Sequence, residues 1–193
     1  MLIHLDYQYL NDEQFITADR AGQFTIWEAE TLEQIRVVDG GHEGAVTDLL
    51  LTDDGKTLYS VGRDGLIMAW NTETWNLEAV FPHIHTDWIL DIVFVDDRTL
   101  ATTGRNGTLI LWDVNRQQPI GRPLVSASSD WGIAIVIDDQ TLNAYSFHND
   151  GQIIMWEFSL EDWLTYGCAV VNIDAIPMTI QNLIDDAHSC IDT

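Results

Sequence analysis

His42 and Asp64 are the pair in this chain best equipped for chemistry, since an imidazole held by a carboxylate can act as a general base. No nucleophile or metal cluster accompanies them, so we read the pair as an internal hydrogen-bonding unit. His83-Ile84-His85 brings together two side chains of metal-ligand type, at a spacing unlike that of known zinc sites. No phosphate-cradling Gly-rich loop, zinc motif or nucleophile elbow occurs. The expectation is a non-catalytic protein without cofactor or metal.

Composition narrows the partners. The 193 residues carry 31 Asp and Glu against 8 Lys and Arg, a formal charge of −23. Phosphate backbones and anionic lipids both need basic surfaces, so neither nucleic acid nor membrane is expected as a partner. No apolar run of about 18 residues is present to span a bilayer. The opening residues Met1–Asp6 lack the basic region and long apolar core of a secretory signal. Cys168 and Cys190 cannot make a disulfide framework and suit free thiols in a reducing cytoplasm. A 46% hydrophobic share with 10% aromatics is enough to build a core.

The elements that position these side chains repeat. Ala21-Gly22, Asp64-Gly65, Asn106-Gly107 and Asp150-Gly151 are each followed by an apolar run ending in Trp27, Trp70, Trp112 and Trp156. The tryptophans are 43, 42 and 44 residues apart, a period that marks an array of similar supersecondary units. Asp-Gly and Asn-Gly between apolar runs are hairpin signals, because the turn needs positive φ. Each unit reads as antiparallel strands. First strands are expected at Val46–Leu51 and Ile89–Val95, second strands at Leu58–Val61 and Leu100–Thr103, and fourth strands at Gln34–Val38 and Leu77–Phe81. Third strands such as Leu109-Ile110-Leu111-Trp112 are apolar at successive positions, so both of their faces should be covered, as in stacked sheets.

Gly41-His42, Trp112-Asp113 and the variants Trp27-Glu28, Trp70-Asn71 and Trp156-Glu157 give these units a resemblance to WD-repeat β-propeller blades over roughly Leu2–Phe158. The resemblance implies an all-β fold of four WD-repeat-type blades of a partial or open propeller over 1–158; beyond it, 159–173 breaks the strand grammar and reads as a short C-terminal capping helix, and 174–193 is polar and acidic and reads as a weakly structured tail. It also implies a structural tetrad of His, Ser or Thr, Asp and Trp. The second unit matches it with His42, Ser60, Asp64 and Trp70, and the third with His85, Thr102, Asn106 and Trp112. The first unit has Thr17 and Trp27 but Ala21 at the Asp position. The fourth has Asp150 and Trp156 but Ser128 at the His position, and a two-residue insertion leaves Ser146 and Ala144 as alternatives for its hydroxyl position.

Laid on the blades, the charges separate. The turns between first and second strands carry Asp12-Glu13, Asp53-Asp54, Asp96-Asp97 and Asp138-Asp139, and the next turns on that rim add Glu28, Glu30, Glu73 and Asp113. On the opposite face one repeated position holds Arg20, Arg63, Arg105 and Asn149, with Trp88 and Trp131 opening the first strands of units three and four. Arg and Trp are enriched at binding hot spots. The resemblance places this face beside the central opening and makes Arg20, Arg63, Arg105, Trp88 and Trp131 the candidate partner-binding residues of a protein–protein interaction scaffold. Asp48 and Asp91, at equivalent first-strand places, are expected to be solvated, with cation binding as the alternative.

Seven blades are usual for this family, as the resemblance implies, and only four are legible. The expectation is therefore either the C-terminal portion of a larger propeller or a shortened one, with self-association able to close the ring. Trp163 followed by Cys168 is similar to the C-terminal ends of bacterial propellers attached to signalling ATPases. That similarity implies an alternative function, a sensor or regulatory segment of a larger multidomain protein.

Overall fold

In the computed structural model, which describes residues 7–125, 131–138 and 143–156, the chain forms four antiparallel meander sheets. The first sheet holds β1 (Tyr7–Tyr9), β2 (Gln14–Ala18), β3 (Gln23–Glu28) and β4 (Gln34–Asp39) in sequence order. The second holds β5 (Val46–Leu51), β6 (Thr57–Gly62), β7 (Ile67–Asn71) and β8 (Leu77–Val80). The third holds β9 (Ile89–Asp96), β10 (Thr99–Gly104), β11 (Thr108–Asp113) and β12 (Gln118–Val125). The fourth has three strands among the described residues, β13 (Gly132–Ile137), β14 (Ala144–His148) and β15 (Ile153–Trp156). The expected helix over 159–173 and tail over 174–193 lie outside the described residues, as do Cys168 and Cys190.

The same turn recurs between the second and third strand of every sheet. The N–H of Gly22, Gly65, Gly107 and Gly151 donates to the carbonyl three residues back, and each glycine has a φ between 71° and 83°. A side chain at that φ is disfavoured, and glycine is not, which fixes the hairpin at the same point of each unit. A second recurring irregularity sits where the first strand enters the second, third and fourth sheets. The register jumps by one residue between Val46 and Asp48, between Ile89 and Asp91 and between Gly132 and Ala134, leaving Thr47, Leu90 and Ile133 as bulge residues.

Because residues directly opposite in an antiparallel pair share a face, the pairing assigns each sheet two faces, and both are apolar. Phe24, Ile26 and Val38 of the first sheet meet Leu49, Leu58 and Trp70 of the second. Tyr59, Ile67 and Phe81 of the second meet Ile92, Leu100 and Trp112 of the third. Ala101, Leu109 and Leu111 of the third meet Ile135, Ala144 and Trp156 of the fourth. Each seam thus sets the tryptophan of one sheet against the sheet before it. Phe24 and Trp70 pack edge to face at 5.3 Å, and Phe81 and Trp112 do so at 5.8 Å.

The first strands also bind their neighbours directly. Asp48 Oδ2 accepts the backbone N–H of Ile92 at 2.8 Å, and Asp91 Oδ2 accepts that of Ile135 at 2.5 Å. These carboxylates are charge-assisted staples between successive sheets, in place of the expected solvated or cation-binding acids. Thr47 adds a hydroxyl bond of 2.6 Å to the Ile89 carbonyl across the same seam.

Candidate functional site

The second sheet assembles a directional hydrogen-bond chain. Trp70 Nε1 donates to Ser60 Oγ at 3.0 Å, and Ser60 Oγ lies 2.8 Å from His42 Nε2. His42 Nδ1 then lies 2.9 Å from Asp64 Oδ2. An ionised Asp64 only accepts, so Nδ1 carries the proton and Nε2 accepts from Ser60. Gly62 makes room for the ring, since a Cβ there would fall 2.8 Å from His42 Nδ1. Burial pushes the Asp64 carboxyl up, but the hydrogen bond from His42, with the N–H groups of Leu66 and Glu43, outweighs it and holds the group below the usual carboxylate range.

The third sheet keeps half of this. Trp112 Nε1 donates to Thr102 Oγ1 at 2.8 Å, and Thr102 Oγ1 lies 2.7 Å from His85 Nε2. Asn106 does not reach the ring. Thr108 stands between them, 3.4 Å from His85 Nδ1 and donating its hydroxyl to Asn106 Oδ1 at 2.6 Å, while Asn106 Nδ2 donates to Thr86 at 3.1 Å. Without a carboxylate partner, burial followed by the nearby His83 lowers His85 to about 4. His85 is a neutral core histidine.

The end sheets show substitutions that sequence reading missed. In the fourth, Ala144 pairs with Trp156 as Leu58 pairs with Trp70, so Ser146 is the hydroxyl, and Trp156 Nε1 donates to it at 2.8 Å. His148 occupies the place of Gly62 and Gly104, and its own Nε2 lies 2.9 Å from Ser146 Oγ. The imidazole comes from inside the strand, where glycine elsewhere clears space for a ring from the preceding loop; Ser128 is outside the described residues. In the first sheet Trp27 Nε1 donates to Thr17 Oγ1 at 2.9 Å. Asp19, two residues before Ala21, accepts the N–H groups of Ala21 and Gln23 and so supplies the turn carboxylate. A histidine or aspartate standing where the other units have glycine was the available signal for both.

Four of the five candidate binding residues form one ladder. The Arg63 guanidinium lies 4.1 Å from the Trp88 ring centroid, Arg105 lies 4.5 Å from Trp88 and 4.5 Å from Trp131, and the two indoles are 6.3 Å apart. Backbone bonds register the rungs: the N–H of Arg63 meets the Ala45 carbonyl, that of Arg105 the Trp88 carbonyl and that of Asn149 the Trp131 carbonyl. Trp88 and Trp131 therefore occupy one repeated position and the arginines another. Ala45 at that aromatic position explains why exposed Arg20 stays out of the ladder. Stacking occupies the guanidinium faces, worth about 0.5–2 kcal/mol each. Asp87 lies 3.8 Å from Arg105, each about one third exposed.

The opposite rim is acidic with one correction. In the first three sheets the two turns on this rim are stitched together, through Ala29 N–H to Glu13, Thr72 N–H to Lys56 and Val114 N–H to Arg98. Asp113, expected among the rim acids, is instead buried and accepts from Arg116 at 3.2 Å. Asp139 lies outside the described residues. Among the described residues no group of three or more His, Cys, Asp or Glu could hold a metal ion, and no helix is long and apolar enough to cross a membrane.

Radially stacked meander sheets with an indole–hydroxyl–imidazole network define an open β-propeller. The family model "WD domain, G-beta repeat" matches residues 32–71 and 75–113, so these two units are WD repeats and the chain as a whole is similar to WD-repeat β-propellers. It is 32% identical over 79 residues to the WD repeat-containing protein 55 homolog of Drosophila persimilis, covering 41% of this chain and 16% of that protein. It is 34% identical over 113 residues to Apoptotic protease-activating factor 1 of Rattus norvegicus, covering 58% of this chain and 8% of that protein. Among these and the other leading curated relatives the chain spans only 6–19% of the relative's length. Its fold is similar to the WD40 β-propeller domain of Doa1, with a TM-score of 0.72 and 16% identity over 82% of this chain and 52% of that one. It is also similar to the computationally designed Ika4 protein, with a TM-score of 0.66 and 20% identity over 80% of this chain and 91% of that one.

Proposed function

We propose that this chain is a non-catalytic, cytoplasmic protein–protein interaction scaffold that captures an acidic protein segment on the face carrying Arg63, Trp88, Arg105 and Trp131. The observation that carries this reading is the Arg–Trp ladder. Both arginines lie within 4.5 Å of the Trp88 centroid, so their guanidinium carbons are at most about 9 Å apart. With their faces stacked, the in-plane N–H groups are left to fork onto carboxylates, a bidentate geometry that lysine cannot offer. The indoles supply apolar surface beside the charge, the combination found at interface hot spots. Asp87 sets a threshold, since a ligand carboxylate must replace its long contact with Arg105.

Binding of fluorescein-labelled peptides in which paired Asp or Glu flank a Leu or Phe, followed by anisotropy, tests the reading. Arg63→Glu with Arg105→Glu weakens binding by about a hundredfold, roughly one charge-assisted bond per site, while the variant stays folded with a melting temperature lowered only by the lost stacking, and Arg20→Glu changes neither. Equal binding by the double variant and the parent sinks the proposal.

A second reading, a regulatory segment of a larger multidomain protein of signalling-ATPase type, draws support from the small share of each relative that the chain spans, 8% for Apoptotic protease-activating factor 1. It is compatible with the same binding face.

A further inference from the structure

We infer that the open face of the first sheet and the open face of the fourth are the two halves of a single seam, and that a second copy of this chain joins them head to tail into an eight-bladed ring. Each internal seam is built from repeated positions. The residue three before the tryptophan takes the next sheet's packing: Phe24, Ile67 and Leu109 are no more than 1% exposed. Ile153, at that position in the fourth sheet, is 61% exposed. The residue just before the tryptophan behaves alike, with Ile26, Ala69 and Leu111 buried and Met155 exposed.

The first sheet presents the complementary half. Phe15, Thr17 and Trp27 stand in the register of Leu58, Ser60 and Trp70, and of Leu100, Thr102 and Trp112, all six of which are buried. In the first sheet these three are only half-buried, and exposed Tyr7 and Tyr9 extend the row. Phe15 and Trp27 stack at 6.3 Å into an aromatic surface that meets no other sheet among the described residues.

Charge argues for the pairing. The pairing rows put Phe15, Thr17, Thr25 and Trp27 on one open face, and Val136, Tyr145, Phe147, Ile153 and Met155 on the other. Across β2–β3 and β13–β15 neither row carries a charge, in a chain with 39 Asp, Glu, Lys and Arg residues, and Asp39 at the end of the outer strand β4 is the charge on the rim of the first face. A chain this acidic has little reason to leave two such faces bare, and they match each other as the internal faces do. The occupant is a copy because the count fits: four sheets cover 52% of the Doa1 propeller domain, and eight blades fall within the range that propellers close. Two heterologous contacts related by a two-fold axis make a closed assembly rather than a filament.

The seam between copies is weaker than the internal ones. Ala134 holds the place of Asp48 and Asp91, so the carboxylate staple to the neighbouring first strand is missing there.

Sedimentation velocity of the 193-residue chain from about 1 to 100 µM tests this, since weak to moderate dimers dissociate in that range. The expected result is a reversible dimer of twice the 21.8 kDa chain mass. Ile153→Arg on one face and Thr25→Arg on the other, both placed where no core packing is lost, each raise the dimer dissociation constant at least about thirtyfold. Circular dichroism and melting confirm that each variant stays folded. Mixing the two variants recovers part of the association, because the intact fourth sheet of one meets the intact first sheet of the other at one seam while the second seam carries both arginines. A monomer throughout the range, as when later residues of this chain or blades of a longer one cover these faces, overturns the inference. So does a dimer that survives both substitutions, a mixture that fails to associate, or an assembly that keeps growing with concentration.

Discussion

The two middle sheets and the two end sheets are built to one pattern but live in different surroundings. In the second and third sheets both faces are covered, and Trp70 and Trp112 are almost fully buried. In the first and fourth, one face is covered, and Trp27 and Trp156 are half-buried. The lesson is that a blade's stability belongs largely to its seams, as in other linear repeats where each unit contacts only its neighbours. The polar networks follow the same division: the sheet with a complete carboxylate–imidazole–hydroxyl–indole chain is in the middle, and the end sheets make do with displaced substitutes.

The largest expected effect falls on the seam-buried indoles. Trp112→Ala removes a buried indole and its hydrogen bond to Thr102, costing about 3–5 kcal/mol, whereas Trp27→Ala costs roughly half as much in dilute protein. Urea denaturation of both variants at submicromolar concentration checks this; equal losses would mean that burial at the seam does not set blade stability.

Next comes pH, which separates the second sheet from the third. His85 has a folded pKa of about 4 against an unfolded value of 6.5, so its contribution is fully present above pH 6.5 and is lost as pH falls toward 4, amounting to about 3 kcal/mol. Asp64 is shifted the same way from a lower starting point. Its contribution holds above about pH 4 and disappears only as pH drops through its depressed folded value. Stability measured from pH 7 to 4.5 should therefore decline in the parent and stay nearly level in His85→Gln. A decline of the same slope in that variant would remove His85 as its cause.

The smallest effect concerns the fourth sheet. His148→Ala takes away the ring beside Ser146 and is expected to cost about 1 kcal/mol, one net hydrogen bond. A loss as large as that of Trp112→Ala would show that the end sheet is as tightly integrated as the middle ones.

Much of this architecture was legible because glycine turns and the tryptophan period mark where the backbone must reverse. Val46–Leu51 was placed to the residue as β5, and Ile89–Val95 and Gln34–Val38 to within one residue of β9 and β4. The partners of individual polar groups were less legible. Thr108 intercepts Asn106, and Asp48 turns its carboxylate to the next sheet, because a hydrogen bond is set by where atoms converge in space, and a bulge or a one-turn shift moves them without changing the period. The ladder was half visible: arginine and tryptophan positions repeated, but only the cross-sheet geometry shows that Ala45 excludes Arg20 and joins the other four.

His148 has a kinetic consequence. In the second and third sheets the imidazole and its hydroxyl are 18 and 17 residues apart, so closing the network means first ordering a loop and a strand. In the fourth they are two residues apart on one strand. That network can form as soon as the β14–β15 hairpin does, on the microsecond scale of hairpin closure, giving the fourth blade a local nucleus that needs nothing from the connection before it.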